Sequence, residues 1–166
     1  MEYKQAYAIA ESTAELLRPH CYRIEIAGSI RRGKKEVKDI EIVAIPKPYE
    51  IGLLESGIAE VVNRWPKIKG PLKYGKTKYT QRILPEGIVL DLFFADKTNW
   101  GLIFALRTGG ADFNKKILLK ALEKQGCRSI DGRLIKNGVA QVVEEEMDLF
   151  SFAGIPFKHP SQRKVD

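Results

Sequence analysis

The alternation of apolar and polar residues divides the chain into a short series of elements. Over residues 2–18, Ala6, Ala10, Thr13 and Leu17 recur at helical spacing and Pro19 follows, which predicts an amphipathic helix. Tyr22-Arg-Ile-Glu-Ile26 alternates as a half-buried strand does and runs into Gly28-Ser29. Asp39-Ile-Glu-Ile-Val-Ala-Ile45 reads as a second strand, closed by Pro46 and Pro48. A helix is expected over 50–64, weakened by Gly52 and Gly57. Lys73–Leu84 and Ile88–Ala95 read as two strands joined by a turn at Pro85-Glu-Gly87.

Beyond that point the character changes. Thr98 is placed to cap a short helix to Leu106, and Ala111–Gln125 carries a strong helical period stopped by Gly126. Asp131-Gly132, between Cys127–Ile130 and Arg133–Lys136, is a hairpin signal. Glu144–Ala153 reads as a last helix, acidic in its first turn and followed by Gly154 and Pro156. The pattern predicts an α+β fold, with a lobe boundary near Asp96–Lys97 and no internal repeat. Strands and helices alternate over 1–96, and 97–166 carries short helices and a hairpin.

Length and composition narrow the class. The chain has 166 residues, enough for one compact unit or two small lobes, and its 44% apolar content excludes wholesale disorder. No uncharged stretch exceeds nine residues, against about twenty for a membrane-spanning helix, so no membrane partner is expected. The opening Met-Glu-Tyr-Lys-Gln lacks a basic region leading into an apolar one, so no secretory leader is expected. Cys21 and Cys127 are too few for a disulfide framework or a zinc site and fit a reducing, cytoplasmic setting.

Charge changes the picture through its position. Lys and Arg total 28 against 21 Asp and Glu, a net charge of +7. Seven basic residues and no acid lie from Arg64 to Arg82, and Arg31, Arg32, Lys34, Lys35 and Lys38 form a second cluster interrupted by Glu36. One such cluster is ordinarily a solvated face. Two of them flanking carboxylates suit a surface that tracks phosphates.

The candidate chemistry lies in three acids on apolar strands. Strand alternation puts Asp39 and Glu41 on one face while Ile40 and Ile42 face the core. Asp91 interrupts the hydrophobic run Ile88-Val-Leu-Asp-Leu-Phe-Phe94. A buried carboxylate costs several kcal/mol unless it is compensated. A structural ion pair is the plain explanation for Asp91 alone, whereas three neighbouring carboxylates call for a divalent cation. Oxygen-only ligands favour Mg²⁺ or Mn²⁺, and a pair of such ions activates an attacking hydroxyl and stabilises a leaving pyrophosphate. Upstream, Gly28-Ser29-Ile-Arg31-Arg32-Gly33 follows the first strand, where a serine hydroxyl, backbone N–H groups and a guanidinium are able to hold a triphosphate. Glycine-serine followed ten residues later by acid-apolar-acid is the signature of nucleotidyltransferases.

Ala27-Gly-Ser-Ile-Arg-Arg-Gly-Lys-Lys-Glu-Val-Lys-Asp-Ile-Glu-Ile42 resembles the palm motif of family X DNA polymerases. Arg107-Thr-Gly-Gly-Ala-Asp-Phe-Asn-Lys115 is similar to the segment where that family's palm meets its thumb, and Glu145-Glu-Met-Asp-Leu-Phe through Gly154-Ile-Pro-Phe to Pro160-Ser-Gln-Arg163 resembles its carboxy-terminal ending. The resemblance implies a minimal palm (1–96), a mixed sheet with helices on one face, plus a small helical and hairpin thumb (97–166), without lyase or fingers regions. It implies that Asp39, Glu41 and Asp91 are catalytic and hold two Mg²⁺ (or Mn²⁺) ions. It makes Gly28, Ser29, Arg32, Thr108, Gly109 and Asn114 nucleotide-binding, and Lys73, Lys76, Lys78 and Arg82 DNA-binding. The implied activity is nucleotidyl transfer from nucleoside triphosphates to a DNA 3′-hydroxyl, on primed or gapped DNA, by a monomer of the repair or gap-filling type.

Four departures stand out. Glu41 replaces an aspartate, Val89 stands where some members carry an arginine, Leu106-Arg107 replaces an aromatic pair, and Gly110 replaces a serine. Template-independent terminal transfer, transfer to a protein or small molecule, and an inactive nucleic-acid-binding module are the competing readings. His20, His159, Trp65, Trp100 and Phe113 carry no partner pattern and read as surface or packing residues.

Overall fold

The computed structural model of the chain describes residues 1–73 and 75–165. It is an α+β fold that divides into two compact units, Met1–Ala95 and Asp96–Asp166. Among the described residues no helix is long and apolar enough to cross a membrane.

The first unit is built on a five-stranded mixed sheet of order β1-β2-β5-β4-β3. Its strands are β1 (Cys21–Ile26), β2 (Asp39–Pro46), β3 (Lys67–Lys69), β4 (Tyr79–Ile83) and β5 (Val89–Phe94). The central pair, β2 and β5, is parallel; the remaining pairs are antiparallel. Helices α1 (Tyr3–Leu17) and α3 (Ile58–Val62) bury Ala6, Ala10, Leu17, Ile58 and Val62 in one cluster with Ile40, Ile42, Leu90 and Leu92. Burial of each leucine, isoleucine or valine side chain among them stabilises the fold by about 1.5–3 kcal/mol. The alternate residues of β2 and β5, the acids among them, are thereby turned to the other face.

Between β1 and β2 the chain makes a single helical turn, α2 (Gly28–Arg31). The helix expected over 50–64 is realised only as α3. Gly52 and Gly57 take φ +117° and +63°, and Leu53 and Leu54 are fully or largely exposed, so residues 50–57 have no buried face to stabilise a helix. The strand expected over Lys73–Leu84 starts at Tyr79. Before it, Gly75 turns the chain at φ +62° and the Thr77 hydroxyl closes on the Lys73 backbone; Tyr74, which that expectation included, lies outside the described residues.

In the second unit, α4 (Trp100–Thr108), α6 (Leu119–Lys124) and α7 (Glu146–Ala153) surround a core of Leu102, Phe113, Leu118, Leu122, Leu149 and Phe150. A three-stranded antiparallel sheet, β6 (Cys127–Ile130), β7 (Arg133–Lys136) and β8 (Val139–Gln141), adds Cys127 and Leu134 to it. Asp131 and Gly132, at φ 50° and 74°, form the predicted turn, and Asn137-Gly138 repeats it before β8. The predicted helix over Ala111–Gln125 consists of a helical turn, α5 (Ala111–Phe113), a π-helical stretch (Asn114–Leu118) and α6. Thr98 does not cap α4. The capping position is Asn99, while the Thr98 hydroxyl donates to Asp96. Gly101 lets α4 touch the chain before α7, because a Cβ there would lie 2.2 Å from the Glu145 carbonyl oxygen. Arg163 is fully buried, paired with both carboxylate oxygens of Glu146 at 2.7 and 3.2 Å and packed against the rings of Phe150 and Phe157.

Candidate active site

The acids of the first unit share one sheet face. Glu41 of β2 is the parallel register partner of Asp91 on β5, and Asp39 lies two residues before Glu41 on the same side. Ile40 and Ile42, between and beyond them, are wholly buried against the helices. Asp39 and Glu41 are half-buried, and Asp91 is 8% exposed. The Asp91 carboxylate is met by two neutral donors. Gln81 Nε2 donates to its Oδ1 at 2.8 Å, and the Tyr79 hydroxyl donates to the same oxygen.

Charge couples these groups. Burial, and after it the charge of Asp91, raises the Asp39 carboxyl above its ordinary pKa. Arg32, at the end of α2, is shifted down by burial, while the neighbouring Glu41 and Asp39 oppose that shift. One guanidinium and the acids of two strands therefore lie within one another's fields.

Gly28 fixes the turn above the acids. Its φ is +62°, and a Cβ on it would lie 1.9 Å from Glu41 Oε2. The Ala27 N–H donates to the Glu41 carbonyl at 2.8 Å, tying the turn to β2. Beside it the Ser29 hydroxyl oxygen is buried and has no hydrogen-bond partner among the described residues. A buried polar atom in that state is a place for an external partner.

By donor type, the three carboxylates fit a hard divalent cation: all are oxygen ligands, and such a cation offsets both the burial that chiefly raises the Asp39 carboxyl and the charge of Asp91 that adds to it. They are not drawn into a finished cage, since among the described residues no three His, Cys, Asp or Glu groups are arranged to hold a metal.

The remaining predicted site residues are distributed over both units. Thr108, Gly109 and Asn114 belong to the second and form their own cluster at the end of α4. Asn114 donates from its amide to the Leu106 carbonyl at 2.7 Å and the Gly109 carbonyl at 3.3 Å, satisfying acceptors that the helix end leaves over. Its Oδ1 is buried with no partner among the described residues, and a Cβ on Gly109 would lie 2.1 Å from it. Thr108 is fully buried. Lys73, Lys76 and Lys78 are exposed on the approach to β4, as a phosphate-contacting surface requires.

Arg82 departs from the expectation. It is 4% exposed, on the helix-covered side of β4, and donates to Thr80 Oγ1, the Trp65 carbonyl and Asn63 Oδ1 at 3.0–3.1 Å. Strand alternation explains the difference: Arg82 pairs with Leu90, not with Asp91, and points with Thr80 into the interior. It braces the connection between α3 and β4 and has no exposed surface to offer a phosphate.

Tyr79 and Gln81 were not singled out by the sequence reading, yet a signal for them exists. A hairpin centred on Glu86 pairs residues equidistant from it, so Gln81 and Asp91, each five positions away, stand opposite.

No protein-family model matches this chain, and no curated protein matches it.

Proposed function

We propose that this chain transfers a nucleotidyl group from a nucleoside triphosphate to a nucleic-acid 3′-hydroxyl, as a small family X-like DNA polymerase with the first unit as palm and the second as thumb. The observation that carries the reading is the carboxylate face of β2 and β5, with Glu41 in register with Asp91 and Asp39 beside them, next to the Gly28-Ser29 turn. Asp39 and Glu41 would hold both Mg²⁺ or Mn²⁺ ions, and Asp91 the one nearer the primer end. Bound there, the ions would supply positive charge to the attacking and leaving oxygens. The 3′-hydroxyl gives up its proton to solvent and its oxygen bonds to the α-phosphorus as the bond from the α-phosphorus to the bridging oxygen breaks and pyrophosphate leaves. Ser29 Oγ, which has no partner among the described residues, donates to a phosphate oxygen, and Arg32 adds positive charge beside it.

Primer extension on templated, gapped and single-stranded DNA, with each nucleotide supplied separately, tests this reading. Template-directed addition is the expected result. Addition without a template indicates terminal transfer instead. Asp91→Ala should abolish transfer and leave DNA affinity nearly unchanged, since duplex binding depends on the exposed lysines. Glu41→Asp should remain active with an altered Mg²⁺/Mn²⁺ preference. Robust transfer by Asp91→Ala would falsify the assignment.

A further inference from the structure

We infer that Tyr79 and Gln81 are positioning residues that hold Asp91 as a metal ligand through one of its two oxygens. The inference rests on the reading of Asp91 as a ligand and extends it to the neighbouring strand. Both donors converge on Oδ1, and neither occupies Oδ2. They come from successive outward positions of β4: Gln81 is Asp91's direct cross-strand partner, and Tyr79 is the partner of Phe93.

Each donor is itself fixed. The Tyr79 ring stacks on Phe93 at 4.8 Å between centroids, and Lys69 Nζ lies 5.6 Å from the Tyr79 ring centre. Gln81 is held by the β4–β5 ladder. Two donors on one oxygen remove the rotation about χ2 by which an aspartate otherwise exchanges its oxygens. Both are also uncharged, so they orient the carboxylate without neutralising it. A cation in their place would compete with a bound metal for the same charge. This is the division of labour expected between a ligand and the hydrogen bonds that orient it, whose loss typically costs 10–100-fold in metal affinity or activity.

A purely structural role, satisfying a buried carboxylate, makes a different forecast: lower thermal stability with metal affinity and turnover unaltered in the folded fraction. Tyr79→Phe separates the two, because it deletes one oxygen and keeps the ring on Phe93; Gln81→Met deletes the other donor at similar volume. Mn²⁺ alone is titrated into each protein and followed by electron paramagnetic resonance. Steady-state primer extension gives kcat and the nucleotide KM on the same preparations. The expected result is about 10-fold or more weaker Mn²⁺ binding, a comparable fall in kcat and a nucleotide KM within about twofold of the parent, in proteins whose melting curves remain cooperative. Mn²⁺ affinity and kcat equal to the parent's in both folded variants overturn the inference. If the parent itself adds no nucleotide, the polymerase reading fails. The Mn²⁺ titration still decides this inference.

Discussion

At Gly28 the backbone occupies a region that costs an L-residue about 1–2 kcal/mol, and the space a side chain would take is filled by the carboxylate of Glu41. Gly28→Ala therefore has to displace Glu41 as well as strain the turn. The variant should lose at least about 1 kcal/mol of stability and, on the proposed mechanism, most of its nucleotide transfer; denaturant unfolding and primer extension check the two effects, and an unchanged extension rate would remove Glu41 from the site. Asp39 gives a pH-dependent expectation. Its folded pKa lies above the unfolded value of roughly 3.9, so its ionisation weighs against the fold at neutral pH. That penalty disappears as pH falls through the folded pKa. Asp39→Asn should accordingly be more stable than the parent protein at pH 7 without metal, and the gap should close towards pH 4. Mg²⁺ should stabilise the parent more than the variant. Equal stability at both pH values would show that neither burial nor the neighbouring Asp91 disfavours the ionised Asp39 carboxylate in the fold.

The contact that fastens the start of α4 to the β6–β7 turn behaves in the opposite sense. Arg133 binds both carboxylate oxygens of Asp96, one at 3.0 Å, while Asn99 donates to the Gly132 carbonyl at 2.8 Å. The guanidinium holds the Asp96 carboxyl well below the usual carboxylate range. The stabilisation is present above the unfolded pKa and is lost as pH falls through the folded one. Asp96→Asn should cost on the order of 1 kcal/mol at pH 7, given the pair's partial exposure, with a difference that fades below about pH 4; thermal melts at both pH values measure it. Elements with a local signal were legible in the sequence: the periodicity of α1, the alternation in β1 and β2, and the Asp131-Gly132 turn, where a residue pair dictates the backbone. The helix over 50–64 was overread because apolar content alone does not reveal whether a face is buried, and Leu53 and Leu54 are not. Strands β3 and β8, three residues each, are defined by their partners and carry too few positions to show a period. In the candidate site, strand parity identified the face of Asp39 and Glu41. The same parity, carried across the β4–β5 hairpin, turns Arg82 inward and puts Gln81 against Asp91.

Across the whole molecule, the chain carries a net charge of +7, and on the proposed function the location of the exposed cations would decide DNA affinity. Replacing Lys73, Lys76 and Lys78 together by Gln should reduce the slope of log affinity against log salt by up to about three units, if all three meet phosphate. Arg82→Met should leave that slope unchanged and lower the unfolding midpoint, since the residue is enclosed by its own unit. Fluorescence anisotropy over a salt series distinguishes the two, and an unaltered slope in the triple variant would move the DNA to another surface. The parallel pairing of β2 with β5 also has a consequence in time. Asp39 and its partner Val89 are 89 − 39 = 50 positions apart, whereas the β4–β5 hairpin closes across a few residues, so loop-closure entropy places the parallel contact late. A newly made chain would have its Tyr79–Gln81 bracket around Asp91 before Glu41 arrives beside it. A late contact of the first unit would then also be one that brings like charges together, and a divalent cation present during refolding should speed that pairing.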